Sequence, residues 1–250
     1  MTSPDLAGMT ALVTGATSGI GRATSVLLAD RGAHVLVSGR DEVRGDAVVH
    51  EIRAAGGKSD FVAAELGDAE SVRTLARDAV HLGGGKIDIL VNNAGIFPFG
   101  PTPAASDEDI DSVFAVNVKA PFVLVASLAP GMAERGKGSI INVLTMVAHF
   151  GIPGMGLYGS SKAALLLLTR AWAAEFGPAG VRVNAVSPGP TRTEGTAPMG
   201  DQLDALASMG PAGRPATPGE IANAIAFLAS DDASFVHGAV LDVDGGRNAV

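Results

Sequence analysis

A short β-rich run, Thr10–Thr14, ends in a cluster of glycines, and a helical pattern over residues 20–31 begins inside that cluster. Gly32-Ala33 closes the pattern, and residues 34–38, His-Val-Leu-Val-Ser, read as a second strand. A strand, a helix and a strand within roughly thirty residues form a βαβ unit, which requires parallel strands with the helix laid across one face. The alternation continues. Residues 42–55 read as a helix, 59–64 as a strand, 69–82 as a helix and 87–92 as a buried strand. A long helix is expected over 107–135, a strand over 139–144, a helix from Tyr158 to 176 and a strand over 181–186. Pro218 stands where it can open a helix running to Ala229, and 239–243 is a last strand. The expected fold is a single α/β domain, 1–250: a doubly wound sheet of about seven mainly parallel strands with helices on both faces. The stretch 191–217 breaks the rhythm with several Gly and Pro and a small helix near 201–208, so it is expected to be a substrate-loop insertion that can close.

Composition excludes several function classes. The chain has 250 residues, a formal net charge of −8 and no cysteine. An acidic chain without a basic run is a poor partner for nucleic acid or an anionic membrane surface. Without Cys there is no thiol nucleophile or thiolate metal site. His34, His50, His81 and His237 are scattered and no His has a carboxylate at ligand spacing, so no metal is expected. Residues 1–8 lack the basic and apolar segments of a signal peptide, and the apolar runs are too short to span a bilayer. The expected location is the cytoplasm.

Two motifs carry chemistry. In Thr14-Gly15-Ala16-Thr17-Ser18-Gly19-Ile20-Gly21, Gly15 permits the tight turn, Gly19 admits a ligand to the backbone and Gly21 lets helix and strand approach. The helix start then offers free N–H groups and a partial positive charge to a pyrophosphate. The spacing differs from G-x-G-x-x-G, and such a turn can be purely structural. The second motif is Tyr158-Gly159-Ser160-Ser161-Lys162. On a helix, i and i+4 share a face, so the phenol and the ammonium point into one cleft. A nearby cation should lower the phenol pKa and make Tyr158 a useful acid and base.

The T-G-x-x-x-G-I-G turn, Asn92-Asn93-Ala94-Gly95, Asn117, Tyr158-x-x-x-Lys162 and Ser187-Pro188-Gly189 together resemble the short-chain dehydrogenase/reductase family, a Rossmann-type fold. The segment from Gly213-Arg214-Pro215 through Phe227-Leu228-Ala229-Ser230 to Asp244-Gly245-Gly246 resembles its 3-oxoacyl-[acyl-carrier-protein] reductase-like branch. The resemblance implies that Tyr158 is the general acid in ketone reduction and the base in reverse, that Lys162 holds the nicotinamide ribose, and that Asn117 holds a water in a relay to Lys162. The family's serine falls at Thr145, which keeps the hydroxyl but adds a methyl that crowds the pocket.

The cofactor implied is NADP(H), with NAD(H) possible. The second strand ends in Ser38-Gly39-Arg40 with no carboxylate to repel a 2′-phosphate, and Arg40 can pair with one. Asp41 and Glu42 blur that signal. Glu65-Leu66 takes the family's adenine-contacting place. Asn92, Ala94 and Gly95 are expected to line the cofactor through backbone groups, and Pro188, Gly189, Thr191 and Thr193 to meet its nicotinamide end. The substrate pocket is expected from Phe97, Phe99, Met146, Val147 and the residues to Phe150, Met155, Pro190 and the loop as far as Met209, with His149 at its mouth. The expected substrate is a small carbonyl compound or alcohol, and the expected assembly a homotetramer or homodimer. Two other readings stand beside this one: an NAD-dependent alcohol or sugar dehydrogenase, and a dinucleotide-binding sensor without chemistry.

Overall fold

The computed structural model describes residues 5–250; the first four residues of the expected domain, and of the stretch 1–8 searched above for a signal peptide, lie outside it. Seven strands form one sheet: β1 (Thr10–Thr14), β2 (His34–Gly39), β3 (Lys58–Ala63), β4 (Ile89–Asn92), β5 (Gly138–Val143), β6 (Val181–Pro188) and β7 (Val240–Val243). Their order is β3-β2-β1-β4-β5-β6-β7 and every neighbouring pair is parallel. The chain winds outward from β1 to β3, then crosses back to β4 and winds the other way. The reversal leaves a crevice above the carboxyl ends of β1 and β4, the usual ligand position in such sheets.

Because successive strand residues point to opposite faces, each strand feeds two cores. Val13, Val37 and Val91 pack with Leu28, Ile52 and Ile225 from α1 (Gly19–Asp30), α2 (Glu42–Ala54) and α8 (Pro218–Ala229). Leu12, Leu36 and Leu90 pack with Leu75, Leu124 and Leu165 from α3 (Ala69–Leu82), α5 (Ala120–Glu134) and α6 (Gly156–Phe176). Burial on both faces is why these strands read as unbroken apolar runs. Each such side chain contributes about 1.5–3 kcal/mol. Local signals set the helix starts. Asp41 and Asp68 cap α2 and α3 by accepting from Arg44 N and Ser71 N. Ser106 with Asp109, and Thr217 with Glu220, form capping boxes on α4 (Asp107–Phe114) and α8.

The helix expected over 107–135 is present as one helical run, Asp107–Glu134, whose winding changes part-way. Between α4 and α5 the residues Ala115–Lys119 form a π turn. Pro121 has no N–H to return to the carbonyl of Asn117, so the α-helical bond is chemically barred there. Counted through that turn, Asp107–Glu134 is long and apolar enough, by length and composition, to cross a bilayer. This corrects the expectation from unbroken apolar runs, which polar residues such as Asn117, Lys119 and Ser127 interrupt. In the fold this segment covers the sheet, burying Leu124, Leu128 and Met132.

Candidate active site

The glycine turn is sewn to the end of β4. Thr14 Oγ1 accepts from the N–H groups of Asn93 and Ala94, each at 3.1 Å. Asn93 Nδ2 donates to Thr14 O at 2.9 Å and to Gly15 O at 3.1 Å. A Cβ on Gly15, which holds φ +61°, would lie 2.8 Å from Ala94 Cα, and one on Gly21 would collide with the Gly15 carbonyl. Only glycine allows β1, α1 and β4 to meet this closely. The N-cap of α1, Ser18, makes no side-chain cap bond, and the first turn carries no acidic residue. The helix start borders a groove of about 390 Å³. It is lined by Gly15, Thr17, Ser18, Gly19, Ile20 and Gly21, by Ser38, Arg40, Glu65 and Leu66 at the ends of β2 and β3, and by Ala94, Gly95 and Thr193. A glycine cradle around an undercapped helix start fits a pyrophosphate. A larger groove of about 880 Å³ lies between α1 and α2, lined by neither Tyr158 nor Lys162.

Asn92 differs from expectation. It is buried in β4, its side chain donates sideways to Asn142 Oδ1 at 2.8 Å, and neither its backbone nor its side chain lines the groove or the adjoining cavity. Asn93, one residue on, takes that place. At the other end of the groove Arg40 is exposed, with Glu65 Oε2 3.7 Å from its Nη1. Arg44 also lines the groove but is held by Asp41 at 2.7 Å.

Adjoining the groove is a mostly apolar cavity of about 240 Å³ that shares Ile20, Asn93, Gly95, Phe97 and Thr193 with it. Thr145, Tyr158 and Lys162 all line this cavity. Thr145 follows β5, and the other two stand one turn apart on α6. Lys162 is buried, with Nζ donating to Val143 O at 2.8 Å. Burial lowers Lys162 to about 8. Burial raises Tyr158 to about 12, opposed by the Thr145 side chain. The expectation that Lys162 lowers the phenol is therefore not met in this state: desolvation sets the shift, the Thr145 hydrogen bond opposes it, and Lys162 Nζ donates to Val143 O instead. Asn117 is fully buried, its Oδ1 accepting from Ile96 N at 2.9 Å and its Nδ2 donating to Ile96 O and Ser161 Oγ. Its side chain therefore acts as a brace, and its main-chain carbonyl is the group that Pro121 leaves without an α-helical partner.

The substrate end gathers Phe97, Met146, Val147, Met155 and Pro190, with Pro188, Gly189 and Thr191 behind them. Phe97 tilts against Tyr158, ring centres 6.1 Å apart. Phe99 is instead exposed beside Gly154, Phe150 lies under the Arg247 guanidinium, and Met209 points to solvent. His149 faces Asp242 at 3.5 Å, away from the cavity. From the loop expected to reach the pocket, Thr196, Met199, Leu203 and Leu206 are the residues that enter the lining. The loop's base is pinned where Thr191 pairs with Ala216, by Arg192 N to Ala216 O at 2.9 Å and Ala216 N to Pro190 O at 2.8 Å. That closure is a long-range pairing with no sequence signal.

A family description, enoyl-(acyl carrier protein) reductase, matches residues 15–248. A 3-oxoacyl-[acyl-carrier-protein] reductase of Thermotoga maritima is 38% identical over 96% of this chain and 98% of its own. A cyclopentanol dehydrogenase of Comamonas sp. is 40% identical over 95% and 96%. The chain belongs to the short-chain dehydrogenase/reductase family. A solved structure from Beutenbergia cavernae, provisionally named an NAD(P)-dependent gluconate 5-dehydrogenase and holding NADP at low occupancy, superposes with a TM-score of 0.93 at 41% identity, covering all of both chains. This short-chain dehydrogenase/reductase is an oxidoreductase of the CH–OH/C=O couple.

Proposed function

We propose that the enzyme interconverts a ketone and a secondary alcohol with NADP(H), Tyr158 giving a proton to the carbonyl oxygen in reduction and taking it back in oxidation. The observation that supports this most is the convergence of Thr145, Tyr158 and Lys162 on one apolar cavity that opens onto the glycine-turn groove. Bound NADP(H) would supply the hydride. Thr145 donates a hydrogen bond to the substrate oxygen as charge builds on it. Lys162, with one of its three donors on Val143, turns the others toward the nicotinamide ribose and lowers Tyr158 once that geometry is set. The Asn117 carbonyl holds the water that carries protons to Lys162. Gly15 to Gly21 hold the pyrophosphate, Ala94 and Gly95 the adjoining ribose, Glu65 and Leu66 the adenine, and Pro188, Gly189, Thr191 and Thr193 the nicotinamide end.

The preference for NADP(H) rests on Ser38 and the exposed Arg40 at the end of β2, a strand that ends without a carboxylate of its own. Arg40→Ala should lower kcat/KM for NADPH by about ten- to a hundredfold and leave NADH nearly unchanged. The second reading, an NAD-dependent alcohol dehydrogenase, draws on Glu65 Oε2 at 3.7 Å from Arg40, a counter-charge that a 2′-phosphate would also meet. Equal losses with both dinucleotides would favour it.

The apolar lining suits a carbonyl carbon carried on an apolar body, in line with the 3-oxoacyl and cyclopentanol chemistry for which relatives are named. The 191–217 loop acts as the lid over that body. The assembly is a homotetramer, or a homodimer at least, through the exposed Phe114, Phe122 and Leu167 on α4, α5 and α6. The working location is the cytoplasm.

A further inference from the structure

The turn that follows β6 reaches back across the molecule to the glycine turn. Glu194 Oε2 accepts a hydrogen bond from Gly19 N at 2.9 Å, a contact between residues 175 apart in sequence. Gly19 opens α1. Thr193 sits on the same glycine: a Cβ there would lie 3.2 Å from Thr193 Cβ and Cγ2. The carboxylate thus occupies one of the N–H groups assigned above to a pyrophosphate: Gly19 lines both that groove and the larger one between α1 and α2, and Glu194 reaches it from the larger one.

Glu194 is not a free tail. Thr193 N donates to Thr196 Oγ1 at 2.9 Å, Thr196 N to Thr193 Oγ1 at 3.2 Å, and Thr196 Oγ1 to Thr191 O at 2.7 Å. Arg192 Nη2 is tied to Asp204 of α7 (Asp201–Ala207) at 2.7 Å, and the Thr191–Ala216 pairing closes the loop's base. A braced turn therefore delivers a negative charge to the rim of the cofactor groove, on the helix start where the dinucleotide would bring its own. Two anions cannot share that N–H, and each raises the cost of the other nearby.

We infer that Glu194 is a specificity- and affinity-setting residue of the cofactor site: its carboxylate latches the substrate loop onto the helix start and must leave before a pyrophosphate can bind. The inference rests on the cofactor reading above. It makes loop position and cofactor binding linked equilibria, with the measured affinity reduced by the fraction of molecules that are latched. The latch selects against any ligand whose phosphates reach Gly19 and is indifferent to one that stops at the β2 end of the groove.

The test is equilibrium binding of NADPH and of adenosine 2′-phosphate, which has no pyrophosphate, to the wild type and to Glu194→Gln and Glu194→Ala. Glu194 is exposed, so both variants should fold. NADPH should bind about three- to tenfold tighter to both, the scale of a charge-assisted bond at an exposed site, while adenosine 2′-phosphate is unchanged. Unchanged or weaker NADPH binding in both variants overturns the latch. Equal tightening of both ligands also overturns it, since that is a general charge effect. A wild type that binds neither NADPH nor NADH overturns the cofactor reading itself, and the latch with it.

Discussion

Lys162 is a buried cation with a single protein partner, and that arrangement has a cost that pH can reveal. Its pKa falls from 10.5 to about 8, a difference worth about 3 kcal/mol at pH 7. Between pH 8 and 10.5 the unfolded chain binds more protons than the folded one, so stability should rise with pH through that window. Below pH 8 the full cost is present. Lys162→Met removes it, and leaving Val143 O without a donor takes back about 1–2 kcal/mol. Urea unfolding should therefore find Lys162→Met more stable than wild type at pH 7, with the advantage shrinking by pH 9.5, although turnover is lost. Thr145 can be separated from mere packing in the same way: Thr145→Val should cut kcat by about a hundredfold or more, while Thr145→Ser keeps it. Unchanged turnover in Thr145→Val would remove that hydroxyl from the reaction. At this scale the sequence shows which groups meet, because i and i+4 on a helix and a hydroxyl at a strand end are local geometry. It does not show their protonation. The motif advertises the cation beside Tyr158, but burial, which depends on the whole cavity wall, decides that the resting phenol stands at about 12. The Asn92 and Asn93 exchange has a similar cause: one residue inside β4 points sideways to Asn142, while the next has left the strand.

Among the elements, α1 and the π turn carry the clearest tests. Gly21→Ala places a methyl against Gly15 O and Asn93 Nδ2, both fixed by hydrogen bonds. It should cost about 1–3 kcal/mol of stability and weaken cofactor binding together, as read by thermal melts and titration. Pro121→Ala would return an N–H to the Asn117 carbonyl. It should hold or raise the melting temperature yet lower kcat several-fold, because the relay water loses its acceptor; full activity would sink the relay. Most elements were legible because parallel strands buried on both faces and capped helices leave strong local patterns: α3 and α8 fall at the residues expected. The long helix over 107–134 was legible, but its π winding at Ala115–Lys119 was not, because the apolar pattern runs straight through it even though Pro121 bars the α-helical bond. The 191–217 loop was seen as irregular, but its closure through Thr191 and Ala216, and the inward turn of Leu203 and Leu206, are long-range facts.

For the whole molecule, the strand order puts both motifs at the carboxyl ends of interior strands, so residues from the chain's first tenth meet those from beyond its middle. Alternating strands and helices made that arrangement readable before any contact was known. The outer surface was less readable, because an exposed Phe looks like any core Phe in sequence. Phe122 leans on Trp172 with ring centres 5.8 Å apart yet stays half exposed, and Leu167 is more exposed still. Sedimentation should find two or four copies together, and Phe122→Glu should shift the population toward smaller species; a monomeric wild type would contradict the assembly proposed. The central claim is that Tyr158 moves the proton that accompanies hydride transfer. The most direct measurement follows nicotinamide absorbance with NADPH and NADH across ketones and 3-oxoacyl thioesters, for wild type and Tyr158→Phe, with cofactor binding titrated in parallel. The account predicts wild-type turnover favouring NADPH, and in Tyr158→Phe a loss of about a hundred- to ten-thousandfold in kcat with cofactor affinity nearly unchanged. A Tyr158→Phe enzyme that turns over a good substrate as fast as wild type would contradict it.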